Sequence, residues 1–231
     1  MKKSSLRIFA FYKSNVNPKV PQYQQAVFKK FGQKIEYIIN EDFEHGDFLN
    51  YICQNVKDTD FLIFFDVDCI PVHRNWLDKL LTDLNEPNSL VGAAQTANHL
   101  QDGKNIYVSP FFFGISTAYL KALNYPDMRM TEDMDAGQNL TKKVIENGGN
   151  VKYWWPTDIE KEEWYLHDPI HTKFGLGTTY NHAVYHAFFS RFDQSYRFIK
   201  KAKLVLGPFG KLFYIKIPMA YKKALRYFTF R

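Results

Sequence analysis

Two aspartates spaced one residue apart, Asp66 and Asp68, close the run Phe61-Leu-Ile-Phe-Phe. A continuous, aromatic-rich apolar run of this length reads as a strand buried on both faces of a parallel sheet. In open α/β sheets ligands bind just past the carboxyl ends of such strands, where these two side chains fall. Paired carboxylates there repel one another unless a cation or a set of donors offsets their charge. Hard oxygen ligands of this kind suit Mg²⁺ or Mn²⁺ carrying phosphate oxygens.

A second acidic cluster, Thr131-Glu132-Asp133-Met134-Asp135, follows about 65 residues later. By residue type alone it reads equally as a helix N-cap whose acids favour the helix start. Four histidines, His167, His171, His182 and His186, crowd the region beyond it. Their two His-x-x-x-His spacings allow a zinc site built from helix faces, although Pro169 interrupts a helix through the first pair.

Between the acidic motifs lies Pro110-Phe-Phe-Phe-Gly114, continuing to Leu123. In this order and spacing the motifs resemble those of the glycosyltransferase-A fold, especially its inverting enzymes, over residues 6–191. The resemblance implies a Rossmann-like domain that binds a nucleoside-diphosphate sugar with Mn²⁺ or Mg²⁺. It implies that Asp68 binds the metal directly, while Asp66 reaches the ribose or, through water, the metal. The nucleotide would lie over Ala10, Phe11 and Tyr12, with Asn40 or Glu41 reading the base. Asp133 would be the general base that deprotonates an acceptor hydroxyl, with Glu132 hydrogen-bonding the acceptor and Asp135 structural. A late histidine completes the metal site in many such enzymes, which points to His167, then His171, with His186 third. The segment 174–180, with its glycines and hydroxyls, reads as a mobile loop that folds over the diphosphate.

Behind these residues stands a chain of 231 residues, 45% apolar, long enough to bury one substantial core. Strand patterns at 6–12, 34–39, 61–68, 89–96, 107–115 and 151–155 alternate with helical stripes. Leu49, Ile52, Cys53 and Val56 form one stripe, Trp76, Leu77, Leu80, Leu81 and Leu84 another, and Leu140, Val144 and Ile145 a third. Pro18 and Pro21 read as a loop after the first strand. This alternation predicts an α/β fold with a mostly parallel sheet. Cys53 and Cys69 are too few for a disulfide scaffold and read as free thiols.

Charge divides the chain. From Asp193 onward ten Lys or Arg face that one acid, a net +9; because the whole chain carries +6, residues 1–192 carry −3. The organisation expected is a catalytic domain over 1–192 and a basic, aromatic, helical tail over 193–231. A mildly acidic body argues against nucleic acid as the partner of the site. Lysines interleaved with apolar stretches suit contact with an anionic membrane surface, where a lipid-linked acceptor resides. No apolar run reaches the length of a membrane span, and no signal-peptide segment follows Met1. The chain therefore reads as cytoplasmic, with the tail as a peripheral membrane contact.

The function expected is transfer of one sugar from the nucleotide donor to a hydroxyl of a glycan or lipid-linked acceptor, with inversion. A sugar-1-phosphate nucleotidyltransferase is the nearest alternative enzyme, but its glycine-rich loop is missing from Tyr12-Lys-Ser-Asn-Val-Asn-Pro18. A non-catalytic carbohydrate-binding protein would account for the aromatics and leave the two acidic motifs unexplained.

Overall fold

The computed structural model of the chain describes residues 4–97, 103–191 and 194–208. In chain order its strands are β1 (Leu6–Tyr12), β2 (Glu36–Ile39), β3 (Phe61–Asp66), β4 (Cys69–Pro71), β5 (Ser89–Gln95), β6 (Tyr107–Ser116), β7 (Asn150–Trp154), β8 (Pro156–Tyr165), β9 (Lys173–Tyr180) and β10 (Val184–His186). Its helices are α1 (Lys19–Lys30), α2 (His45–Asn55), α3 (Trp76–Leu84), α4 (Thr117–Ala122), α5 (Gln138–Glu146) and α6 (Ser195–Leu206).

The central sheet has the order β2-β1-β3-β6-β5-β7, and β6 alone runs against its neighbours. This is the mostly parallel α/β sheet that the strand–helix alternation predicts. Side chains of β3 alternate between its two faces. Phe61, Ile63 and Phe65 join Trp76, Leu80 and Leu84 of α3 in one core. Leu62 and Phe64 join Phe48, Leu49 and Ile52 of α2, with Leu140 and Val144 of α5, in the other. The α3 stripe thus covers one face of β3 and the α2 and α5 stripes share the other, and burial of both faces requires the unbroken apolar run of β3.

A second sheet, β4-β10-β9-β8, is antiparallel throughout. Two expectations are corrected here. Residues 174–180 are strand β9, fully buried over most of its length, and not a mobile loop. Its glycines serve close packing: a Cβ on Gly175 would lie 2.1 Å from the Lys161 carbonyl oxygen, and Gly177, at φ +70, faces the Glu160 side chain. Pro21 also belongs to a helix, since α1 begins at Lys19 and the first turn tolerates proline.

Residues 195–206 of the basic segment pack on the body as α6. Phe198, Ala202 and Leu206 share a third core with Val20, Ala26 and Val27 of α1 and with Tyr185 of β10. Lys30 Nζ donates to the Val205 and Leu206 carbonyls at 2.6 and 3.2 Å, where a cation suits the helix C-terminus. The remainder of the basic segment, 209–231, lies outside the described residues. Among those described, no helix is long and apolar enough to cross a membrane.

Candidate metal and nucleotide site

Asp66 ends β3, and Val67 and Asp68 turn the chain into β4. The buried Gln24 of α1 holds this turn, its amide donating to the Asp66 and Cys69 carbonyls at 2.6 and 2.7 Å. His186 pairs opposite Cys69 across the β4–β10 ladder, which brings its ring beside both aspartates. Its Nε2 lies 3.0 Å from Asp68 Oδ1 and 3.7 Å from Asp66 Oδ2. Phe111 stacks on that ring at 4.0 Å and Phe188 tilts against it at 3.9 Å, so it has little freedom to turn.

Asp68 is buried, and burial alone would raise its pKa. The facing His186 and the Ser190 backbone N–H outweigh that effect and hold the carboxyl below its usual value. Ser190 N–H reaches Asp68 Oδ2 at 3.2 Å because the two preceding residues turn the backbone. Phe188 and Phe189 sit at φ 60 and 53, a left-handed conformation that costs about 1–3 kcal/mol for such side chains and concentrates at functional sites.

The donor atoms of Asp66, Asp68 and His186 all lie within 4.8 Å of one another. Two carboxylates and one imidazole fit a hard or borderline divalent cation. The fit is also electrostatic: two carboxylates share one small space, and the Nδ1 of the His186 ring beside them is buried without a partner. The three residues line a cavity of about 580 Å³, together with Phe11, Tyr12, Lys13, His45, Arg129 and Arg191 among others.

His45, the first residue of α2, was not among the expected site residues. Its Nε2 lies 3.4 Å from Asp66 Oδ1. The helix that carries it starts with a capping box between Glu44 and Asp47, and Lys13 Nζ pairs with Glu44 Oε1 at 2.7 Å. Nothing in its local sequence marks His45, because its role depends on where α2 begins relative to β3.

The other expected residues are placed differently from one another. Phe11 and Tyr12 line the cavity, whereas Ala10 is fully buried in the sheet. Asn40 accepts from the backbone of Asp42 at 2.8 Å and orders its own loop, and Glu41 accepts from the Ser14 N–H at 2.8 Å and ties its loop to the one after β1. Glu132 and Asp133 are exposed on a loop ahead of α5 and are not among the cavity-lining residues. That helix begins only at Gln138, so the acidic pair does not open it. The carboxylate of this stretch that faces the cavity is Asp135, which accepts from Tyr107 Oη and from the Ala136 N–H, both at 2.8 Å.

His167 and His171 lie on the β8–β9 connection, outside the aspartate cluster. The His167 N–H donates to the Gly103 carbonyl at 2.6 Å, and the His171 ring stacks on Trp155 at 5.0 Å. The late histidine that meets the aspartates is therefore His186, because strand pairing and not sequence distance brings it there. The helical zinc arrangement does not form, since His182 lies at a turn and His186 on a strand.

No family model matches the chain, and no curated protein matches its sequence. Several solved structures are similar to part of it. The catalytic domain of Drosophila beta1,4galactosyltransferase 7 in complex with xylobiose is 14% identical over 78% of this chain and 71% of that one, with a TM-score of 0.47. A197 from STIV is 16% identical over 63% and 80%, with a TM-score of 0.40. GalNAc-T7 with UDP, GalNAc and Mn²⁺ is 12% identical over 64% and 41%, with a TM-score of 0.41.

Proposed function

We propose that this chain is a metal-dependent glycosyltransferase that moves a sugar from a nucleoside-diphosphate donor to a hydroxyl of a glycan or lipid-linked acceptor, with inversion. The observation that carries this reading is the Asp66–Asp68–His186 cluster, set at the carboxyl end of β3 inside an aromatic-lined cavity. Asp68 and His186 would hold the cation, with Asp66 Oδ2 turned toward the same point. A divalent cation bound there supplies positive charge for a diphosphate leaving group.

The chain's own groups support the donor around that point. Phe11 and Tyr12 offer ring faces to a base or ribose, and Lys13 and Arg191 bring positive charge to the cavity wall. Asp133 remains the proposed general base, with Glu132 hydrogen-bonding the acceptor. The loop that carries them runs between Met130 and Asp135, both of which line the cavity. Removing the acceptor proton during attack is worth about 10²–10⁴ in rate.

The acceptor side of the proposal extends to an anionic lipid surface. The outward face of α6 presents Tyr196 and Leu204, 56% and 69% exposed, beside the exposed Lys200 and Lys203. An apolar face ringed with lysines suits interfacial contact.

Thermal stabilisation by Mn²⁺ with UDP-sugars and with GDP-sugars tests the central claim. One nucleotide class should raise the melting temperature only when the metal is present. Equal melting curves under every condition would refute the donor site.

A further inference from the structure

We infer that His45 is a positioning residue for the metal site, holding the Asp66 carboxylate through Oδ1 so that Oδ2 faces Asp68 and His186. This rests on the metal-site reading given above.

The Asp66 carboxylate is shared between two histidines, one at each oxygen. Oδ2 faces His186 Nε2 at 3.7 Å, and Oδ1 faces His45 Nε2 at 3.4 Å. His186 lies on the Oδ2 side and, with Asp68, belongs to the clustered donor set, while His45 stands outside that set. A carboxylate that gives one oxygen to a metal is commonly oriented through its other oxygen, and such outer partners tune affinity strongly.

Three features of His45 suit it to this task. Its Nε2 is shut off from solvent and has no hydrogen-bond partner, although the side chain as a whole is 27% exposed. A donor in that state gains from a carboxylate within reach, and 3.4 Å is a few tenths of an ångström beyond a formed hydrogen bond. The ring is held edge-on by Phe11 and Phe48, with centroids at 6.3 and 6.1 Å. The backbone below it is also pinned, because Gly46 packs so closely on the 128–129 backbone that a Cβ there would lie 2.4 Å from Arg129 Cα. Helix α2 therefore delivers the ring to Asp66 as part of a fixed element.

The test is direct Mn²⁺ titration by calorimetry, without nucleotide, on the full chain and on His45→Ala, His45→Gln and Asp68→Ala. His45→Ala should bind Mn²⁺ about 10–100-fold more weakly. His45→Gln, whose amide can still donate toward Oδ1, should recover part of that loss. Metal-free melting temperatures should change little, which separates positioning from packing. Mn²⁺ affinity of His45→Ala within twofold of the parent chain would overturn the inference, even if nucleotide binding fell. Asp68→Ala should lose Mn²⁺ binding; if it binds normally, the metal site itself is wrong, and His45 falls with it.

Discussion

His186 Nε2 and Asp68 Oδ1 stand 3.0 Å apart although 118 residues separate them in sequence. The contact is made by strand register: Cys69, next to Asp68, lies opposite His186 in the β4–β10 pair. A three-residue strand following the buried β9 thus completes a cluster begun at the end of the central sheet.

Replacing Asp68 by Asn keeps the shape of the side chain and removes its charge. The variant should fold and lose Mn²⁺-dependent donor binding, because the most buried ligand no longer carries a negative charge. Calorimetry with Mn²⁺ and the stabilising nucleotide sugar checks this; unchanged affinity would remove Asp68 from the site.

The three late histidines expected as metal ligands should separate cleanly. His186→Ala should weaken Mn²⁺ binding at least tenfold, whereas His167→Ala and His171→Ala should leave it near the parent value. The same titration on all three variants gives the answer. A loss confined to His167 or His171 would mean that the β8–β9 connection, not β10, supplies the ligand.

The reach of sequence reasoning follows from the same geometry. The Phe61–Phe65 run announces a strand covered on both faces, and the α3 stripe of Trp76, Leu80 and Leu84 shows one of the covers. Both signals are local, and the sheet and its aspartates were legible from them. The small sheet was not. Strand β8 carries Asp158, Glu160, Lys161, Glu162 and Glu163 and is largely exposed, so it has neither an apolar run nor a clean alternation. Its partner β9 contains glycines that resemble a loop until the backbone of β8 is seen against them. Without that sheet nothing distinguishes His186 from His167. Nor does sequence separate Asp135 from Asp133: the distinction depends on the 131–137 loop conformation, which ends at Gly137 with φ 77.

Gly46→Ala tests how tightly α2 is seated. A new Cβ would meet Arg129 Cα at 2.4 Å and the Met128 carbonyl oxygen at 2.6 Å, both backbone atoms that cannot swing aside. The expected cost is about 1–3 kcal/mol, read as a lower urea midpoint at unchanged slope. Parent-like stability would show that α2 and the 128–129 segment are not in such close contact.

Asp133→Asn should leave donor binding intact and lower kcat by about 10²-fold or more, since only the proton acceptor is removed. Asp135→Asn should act differently, loosening the hydrogen bond from Tyr107 Oη that orders the cavity wall. If Asp135→Asn carries the loss in kcat and Asp133→Asn does not, the base is the carboxylate that lines the cavity. Product anomers determined by NMR should be inverted relative to the donor; retention would contradict in-line attack by an acceptor deprotonated by either residue.

Membrane attachment must be tested with α6 left in place. Ending the chain near Asp193 would uncover Val20 and Val27, which Phe198, Ala202 and Leu206 help to cover, and any loss of binding could then reflect unfolding. A chain ending at Gly207 avoids this, as does the full chain carrying Lys200→Glu and Lys203→Glu on the exposed face of α6. Each basic residue near an anionic surface contributes about 1 kcal/mol at most, and the attraction is screened by salt. The full chain should therefore pellet with phosphatidylserine vesicles at low salt and be released at high salt. The shortened chain should pellet less, and the double reversal less again than the parent. If all three stay in the supernatant at low salt, these lysines are simply solvated and the acceptor reaches the site without a membrane contact from this end of the chain.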